Sequence, residues 1–235
     1  MTAYYPVYLN LTGKRCLVFG GGPVAEDKIA KLRHSGAEVS VVSPEVTPAI
    51  RDAALNGEVE WHDRHYQPGD LEGAFLSIAA TDQRKVNQQI FQEAERLGVL
   101  LNVVDDPAQC TFIAPSIVQR GSVTLAISTG GASPALARKL REALSNNSAL
   151  EWADLVGVLS QARQELKKRG VKIDSQRWQC CLNQELLALV QSGREDAALD
   201  TLLTNLTDGN SEGLCSRTDQ CSPEKCASLP VNSHR

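Results

Sequence analysis

Residues Arg15–Lys28 read RCLVFGGGPVAEDK, a strand that enters a glycine loop and leaves as a helix. The apolar run Cys16–Phe19 meets three glycines, and the helix beyond carries Val24, Ile29 and Leu32 on its expected apolar face. A dinucleotide pyrophosphate needs this arrangement. Gly20 allows the tight turn, Gly22 lets backbone approach phosphate, and small Ala25 replaces the third glycine for close helix packing. Backbone N–H groups and the helix dipole then face the anion.

Outward from this loop, strand and helix alternate. The first helix is expected to run to about His34, with Gly36 beyond its end, followed by a strand over Glu38–Val42. A helix over Val46–Asn56, a short strand over Val59–Trp61 and a buried parallel strand over Ala74–Ala79 come next. Lys85–Leu97 is amphipathic, and Val99–Val104 is a further strand. The alternation predicts an α/β fold of Rossmann type, a doubly wound parallel sheet with its ligand at the carboxyl ends of the strands. Beyond Pro107 the reading changes. Thr111–Ala114 and Ser122–Ser128 are expected as strands, and Pro134–Leu144 as a helix with Ser133 as N-cap. Leu150–Lys168 and Gln184–Leu206 are expected helices, and the polar stretch from Thr207 onward is expected not to pack.

The chain has 235 residues, 42% of them hydrophobic, and a net charge of −4. That size can bury a substantial core, and the acidic balance argues against a nucleic-acid partner. No run of about 18 apolar residues suggests a membrane span. The first residues lack the basic and apolar regions of a secretory signal. Seven dispersed cysteines suggest no disulfide framework. The expectation is a reduced, cytoplasmic protein.

Four places carry candidate chemistry. At the end of the second strand, Ser43-Pro44-Glu45 stands where NAD-binding folds place a ribose-binding acid, one step late. Glu45 reads equally as a ribose ligand or as an ordinary first-turn helix acid. Arg51 is a poor fit to a 2′-phosphate, which favours NAD over NADP. Thr81 is placed to meet a cofactor, while Asp82 reads more simply as an N-cap. Asp105 and Asp106 leave the Val99–Val104 strand at the sheet edge that holds the glycine loop. Asp105 can be a proton acceptor, a metal ligand or a turn residue; Asp106 reads as a turn residue before Pro107. Finally Ser128-Thr129-Gly130-Gly131 leads into a capped helix bearing Arg138, Lys139 and Arg141. These three cations read either as a solvated face or as a site for a polyanionic ligand. His62 and His65 flank a loop and read either as residues that approach the cleft or, more simply, as surface residues, and Cys180-Cys181 beside Trp178 reads as helical core. Cys215, Cys221 and Cys226 lack the paired spacing of a zinc site.

Taken in order, Pro6–Leu9, Val18–Lys28, Ala79–Asp82, Asn102–Asp105, Phe112–Ile117 and Ser128–Arg138 resemble the precorrin-2 dehydrogenase family, including the N-terminal module of sirohaem synthase. The resemblance covers roughly residues 5–145. It implies NAD-dependent oxidation of the tetrapyrrole precorrin-2 to sirohydrochlorin, and in some members insertion of ferrous or cobaltous ion into that product. It implies Asp105 as the key acidic residue, for the metal as well where chelation occurs. The cofactor-binding set is Gly20, Gly21, Gly22, Pro23, Val24, Ser43, Pro44, Glu45 and Thr81; the substrate set is Ser128, Thr129, Gly130, Gly131, Arg138, Lys139 and Arg141. It further implies a homodimer. The expected division is a Rossmann domain over 1–113, a small α+β dimerisation and substrate-binding segment over 114–148, a helical domain over 149–206 and a tail over 207–235. The competing functions are a non-catalytic NAD-sensing domain and a chelatase without dehydrogenase activity.

Overall fold

The structure is a computed structural model that describes residues 4–207. The described chain falls into two compact units. One holds the residues up to Pro115 together with Ser128–Ala137; the other holds Ser116–Ile127 and the residues from Arg138 on.

In the first unit, five parallel strands lie in the order β3-β2-β1-β4-β5: β1 is Arg15–Phe19, β2 Glu38–Val42, β3 Glu60–His62, β4 Leu76–Ala79 and β5 Leu100–Val103. The chain builds outward from β1 to β3, then returns to the other side of β1, so the switch point lies between β1 and β4. Strand alternation buries both faces. Cys16 and Val18 of β1 face a core with Ala25, Ile29 and Leu32 of α1 (Pro23–His34) and Ile50 and Ala53 of α2 (Pro48–Leu55). Leu17 and Phe19 face the opposite core with Ile90 and Ala94 of α3 (Arg84–Leu97). Val24 departs from its expected place. It is 49% exposed, and Ala25 takes the buried position beside Ile29.

Several boundaries differ from the sequence expectations for local reasons. Thr47 caps α2 by accepting the Ile50 N–H at 3.3 Å, so the helix starts at Pro48 rather than Val46. Gln83, not Asp82, is the N-cap of α3, and no side chain caps it. Thr111–Ala114 is not a strand. Side chains there imitate one: Thr111 accepts the Leu101 N–H on Oγ1 at 2.7 Å, and Cys110 Sγ accepts the Val103 N–H at 3.2 Å. These bonds cover the free edge of β5 without forming a ladder.

The second unit opens with an antiparallel hairpin, β6 (Ser116–Arg120) and β7 (Val123–Ile127); β6 went unrecognised in the sequence. The helix α4 (Pro134–Ser145) begins in the first unit and ends in this one. The expected helix over Leu150–Lys168 is a 3-10 segment, Ser148–Leu155, followed by α5 (Val156–Lys168). Then come α6 (Ser175–Cys181), α7 (Gln184–Gln191) and α8 (Glu195–Thr207). The single helix expected over Gln184–Leu206 is broken where Gly193 adopts φ 74°. Their core holds Leu155, Ala162, Leu166, Cys181, Leu186 and Leu202, which places Cys181 as expected, whereas Cys180 is only partly buried and lies outside it. Arg120 ties the hairpin to the 3-10 segment through a bidentate pair with Asp154, at 2.9 and 2.7 Å. No disulfide joins the described cysteines, and no helix among the described residues is long and apolar enough to cross a membrane. Cys215, Cys221 and Cys226 lie outside the described residues.

Candidate active site

A cleft of about 500 Å³ opens at the carboxyl ends of β1, β2 and β4. Gly20, Gly21 and Gly22 line it, with Ser43, Pro44 and Glu45 from beyond β2, and Thr81, Asp82 and Gln83 from beyond β4. Each of the three glycines answers a different demand. Gly20 has φ 110°, and a Cβ there would lie 2.4 Å from the Ala80 carbonyl oxygen. Gly21 needs no special φ, but its Cβ would lie 1.9 Å from the Glu45 carbonyl oxygen. Gly22 has open space where its Cβ would point. It is the N-cap of α1, with Pro23 at the first helical position, so the helix N-terminus begins at the cleft; Pro23 and Val24 themselves are not among the cleft-lining residues. Two glycines make room for chain, and the third leaves room for a ligand. This geometry fits a dinucleotide pyrophosphate.

The loop after β2 is held in place by its own bonds. The buried Ser43 hydroxyl donates to the Glu45 carbonyl at 2.6 Å, the Trp61 indole N–H donates to the Ser43 carbonyl at 2.9 Å, and the Thr47 N–H donates to the Gly21 carbonyl at 2.9 Å. Ser43 is therefore spent on the turn, and Glu45 is the exposed acid on this wall of the cleft, with Asp82 exposed on the wall beyond β4. Arg51 lies over the Trp61 ring, 5.3 Å from its centroid, and is not among the cleft-lining residues.

Thr81 is also engaged. Its hydroxyl donates to Asn87 Oδ1 at 2.7 Å and accepts the Gln83 N–H at 3.2 Å, so toward a cofactor it offers a lone pair rather than its proton. His65 and Tyr66 line the cleft from the loop after β3. His65 was expected near the cleft or at the surface, and it is exposed on this wall. Nothing local in the sequence marks Tyr66.

Asp70 secures that same loop. It accepts from Arg64 at 2.7 and 2.9 Å and from the Gln67 N–H at 2.9 Å. Burial alone would raise its carboxyl; the Arg64 guanidinium and the Gln67 N–H outweigh burial and hold it below the usual carboxylate range. A depressed folded-state value contributes stability above the unfolded value of about 4 and loses it as pH falls through the folded one. Asp70→Asn should therefore melt earlier than wild type at pH 7, by a difference worth about 1–2 kcal/mol. That difference should shrink as pH drops below about 4. A difference constant down to pH 3 would show that the charge is not what Asp70 contributes.

Asp105 is not among the cleft-lining residues. It stands in an exposed turn just past β5, closed by the Asp106 N–H donating to the Val103 carbonyl at 3.3 Å. The Val104 N–H bonds the Ala79 carbonyl at 2.9 Å, so the turn grows from the strand end beside Ala80 and Thr81. Asp105 is the only described non-glycine residue at positive φ, 60°. Aspartate and asparagine are among the few side chains that adopt this left-handed conformation. Asp106 stands at the N-cap position of the short turn Pro107–Gln109 without a side-chain cap bond and accepts from Gln109 Nε2 at 2.7 Å, a turn residue before Pro107 as expected.

In Ser128–Arg141 the hydroxyls build the loop. Ser128 Oγ accepts the Gly130 N–H and Thr129 Oγ1 accepts the Ser133 N–H, both at 3.1 Å; Ser133 Oγ caps α4 through the Leu136 N–H at 3.2 Å. Gly130 and Gly131 take φ 62° and 86°. Arg138 pairs with Glu142 at 3.0 Å across an exposed helix face, whereas Lys139 and Arg141 make no ion pair among the described residues. Such exposed i,i+4 pairs contribute only about 0.3–0.5 kcal/mol, so a ligand carboxylate can compete for Arg138. Among the described residues no group of three or more His, Cys, Asp or Glu is placed to hold a metal ion.

A family model described as "Putative NAD(P)-binding" matches residues 7–116, and one described as sirohaem biosynthesis protein central matches residues 120–147. The siroheme synthase of Photorhabdus laumondii is 36% identical over 212 residues, covering 89% of this chain and 45% of that protein. The siroheme synthase of Nitrosococcus oceani is 37% identical over 208 residues, covering 88% of this chain and 44% of that one. The chain thus spans less than half the length of the curated relatives it matches. A solved structure titled SirC, precorrin-2 dehydrogenase, superposes with a TM-score of 0.67 at 26% identity, covering 85% of this chain and 98% of that one. The chain belongs to the family that joins this NAD-binding module to the central domain of sirohaem biosynthesis proteins.

Proposed function

We propose that this chain oxidises precorrin-2 to sirohydrochlorin with NAD as hydride acceptor. The observation that carries the reading is the cleft at the β1/β4 switch point, where open space over Gly22 meets the N-terminus of α1. The dehydrogenase named in the matched structure's title and the siroheme synthases at 36–37% identity support the substrate. Gly20, Gly21, Gly22, Pro23 and Val24 hold the pyrophosphate, and Glu45 serves the ribose. Val24 is exposed on α1 rather than packed in the core.

The reaction removes a hydride and a proton from the tetrapyrrole, and NAD, when bound, supplies the hydride acceptor. Asp105 takes the proton directly or orients a water that does so. The substrate is a polycarboxylate, and Lys139, Arg141 and Arg138 supply cations on an otherwise acidic chain, with the Ser128–Gly131 loop ahead of them. We place the active form as a homodimer in the cytoplasm. Of the ten strand residues of the β6–β7 hairpin only Val118 is buried, and Ile117 and Leu125 are 47% and 37% exposed. That apolar hairpin is a candidate for cover by a second copy.

Incubation with precorrin-2 and NAD should produce the absorbance of sirohydrochlorin and one equivalent of NADH. No spectral change, with NAD still bound, would overturn the reading in favour of an NAD-sensing domain. Ferrous or cobaltous ion enters only as a substrate. Supplying either with sirohydrochlorin, in the absence of NAD, reads metal insertion on its own.

A further inference from the structure

Helix α3 turns two polar side chains inward, Asn87 and Glu93, on either side of the fully buried Ile90. An amphipathic helix gains nothing from them by itself, because burying an amide or a carboxylate is unfavourable unless partners replace water. Both find those partners in the walls of the cleft. Asn87 donates to the Thr81 carbonyl at 3.0 Å and accepts the Thr81 hydroxyl at 2.7 Å, fixing the loop after β4. Glu93 reaches the loop after β3: one oxygen accepts the Tyr66 hydroxyl at 2.6 Å, the other the Gly69 N–H at 2.8 Å. Among the described residues Arg96 is the one cation paired with it, at 4.0 Å.

Tyr66 is the consequential partner. Its ring stands edge-on to Phe19, with centroids 5.4 Å apart and planes at 83°. Phe19 immediately precedes Gly20, and both Phe19 and Tyr66 line the cleft. Ring and hydroxyl together leave Tyr66 one orientation, with the carboxylate behind it. Burial, and then the bond to Glu93, push the Tyr66 hydroxyl well above the ordinary tyrosine range, so it remains a donor at any working pH.

We propose that Glu93 is a positioning residue for the dinucleotide, acting through Tyr66 to set the aromatic wall against which a flat ring of the cofactor packs. This rests on the cleft being the NAD site. It assigns to a buried helix residue a part in cofactor affinity that its position in the sequence does not show.

Calorimetric titration of NAD into the full chain tests it. Glu93→Ala should raise the dissociation constant about tenfold and Tyr66→Phe about fivefold. The double variant should be no weaker than Glu93→Ala alone, since both changes cut one connection. Glu93→Gln should recover most of the affinity, because an amide can accept from Gly69 and donate to the Tyr66 oxygen. In the dehydrogenase assay the KM for NAD should rise more than kcat falls. If Glu93→Ala does not fold, Tyr66→Phe and Glu93→Gln carry the test, as both keep the packed volume. Unchanged affinity in Tyr66→Phe, or additive losses in the double variant, would overturn the proposal. Wild type that fails to bind NAD would instead overturn the functional reading itself.

Discussion

Gly21→Ala is expected to destabilise the NAD-binding unit by at least about 3 kcal/mol and to abolish NAD binding. The reason is space, not conformation. Gly21 has an ordinary φ, so alanine suits its backbone, but the added carbon would sit 1.9 Å from the Glu45 carbonyl oxygen and 2.8 Å from Val46 Cα. Both obstacles are main chain, and neither can rotate away. For the methyl to fit, the loop after β2 must retreat, and the Thr47 N–H bond to the Gly21 carbonyl goes with it. Ser43, Pro44 and Glu45 move with that loop, so one wall of the cleft is lost together with the stability.

Gly22→Ala is the informative companion. No atom lies within 4 Å of the carbon it adds, and its φ is −81°. It should melt with wild type yet bind NAD more weakly, because its methyl enters the space left for phosphate. Thermal melting gives the first comparison and an NAD titration the second. At roughly 2–4 °C per kcal/mol, Gly21→Ala should melt about 6–12 °C lower than wild type. A Gly21→Ala protein with the wild-type midpoint would show that the loop after β2 yields freely and that the close approach has no energetic consequence.

The contrast between these glycines shows what a sequence discloses. The strand, the loop and α1 were legible because both strand faces are buried and glycines punctuate the helix ends: Gly36 and Gly98 take φ 78° and 69°. Gly20–Gly22, Ser43–Glu45 and Thr81 do converge in one cleft. Local pattern misled where a partner is distant. Glu93 reads as one more charge on an amphipathic helix; its partners Tyr66 and Gly69 are 27 and 24 residues away. Val24 fell at a helical spacing that suits the core, yet α1 turns it outward. Thr111–Ala114 has a strand's composition, yet it meets β5 through the Thr111 and Phe112 N–H groups and the side chains of Cys110 and Thr111 rather than through a ladder. Gly21 occupies a position that the dinucleotide motif leaves free, and only the fold reveals the backbone packed against it.

Asp105→Asn is expected to lower the dehydrogenase rate about 100-fold while leaving NAD affinity unchanged, the scale of a single proton acceptor. Asparagine is the decisive substitution because of the backbone. Asp105 holds φ 60°, which asparagine and aspartate tolerate better than other side chains. Asparagine thus keeps the turn and the shape and removes only the charge. Asp105→Ala adds a backbone strain of about 1 kcal/mol, so its rate loss mixes geometry with chemistry. The turn is exposed and its closing bond is main chain, from the Asp106 N–H to the Val103 carbonyl, so neither variant should melt far from wild type. If Asp105→Ala were slow and Asp105→Asn fast, the residue would serve the turn and not the proton. If both kept the wild-type rate, Asp105 would leave the mechanism, and a water at the strand edge would have to accept the proton unaided. The driving force from extended conjugation in the product makes that outcome chemically possible. The charge-only substitution therefore decides whether the strained aspartate beside the β4 strand end is there for chemistry or for the bend of the chain.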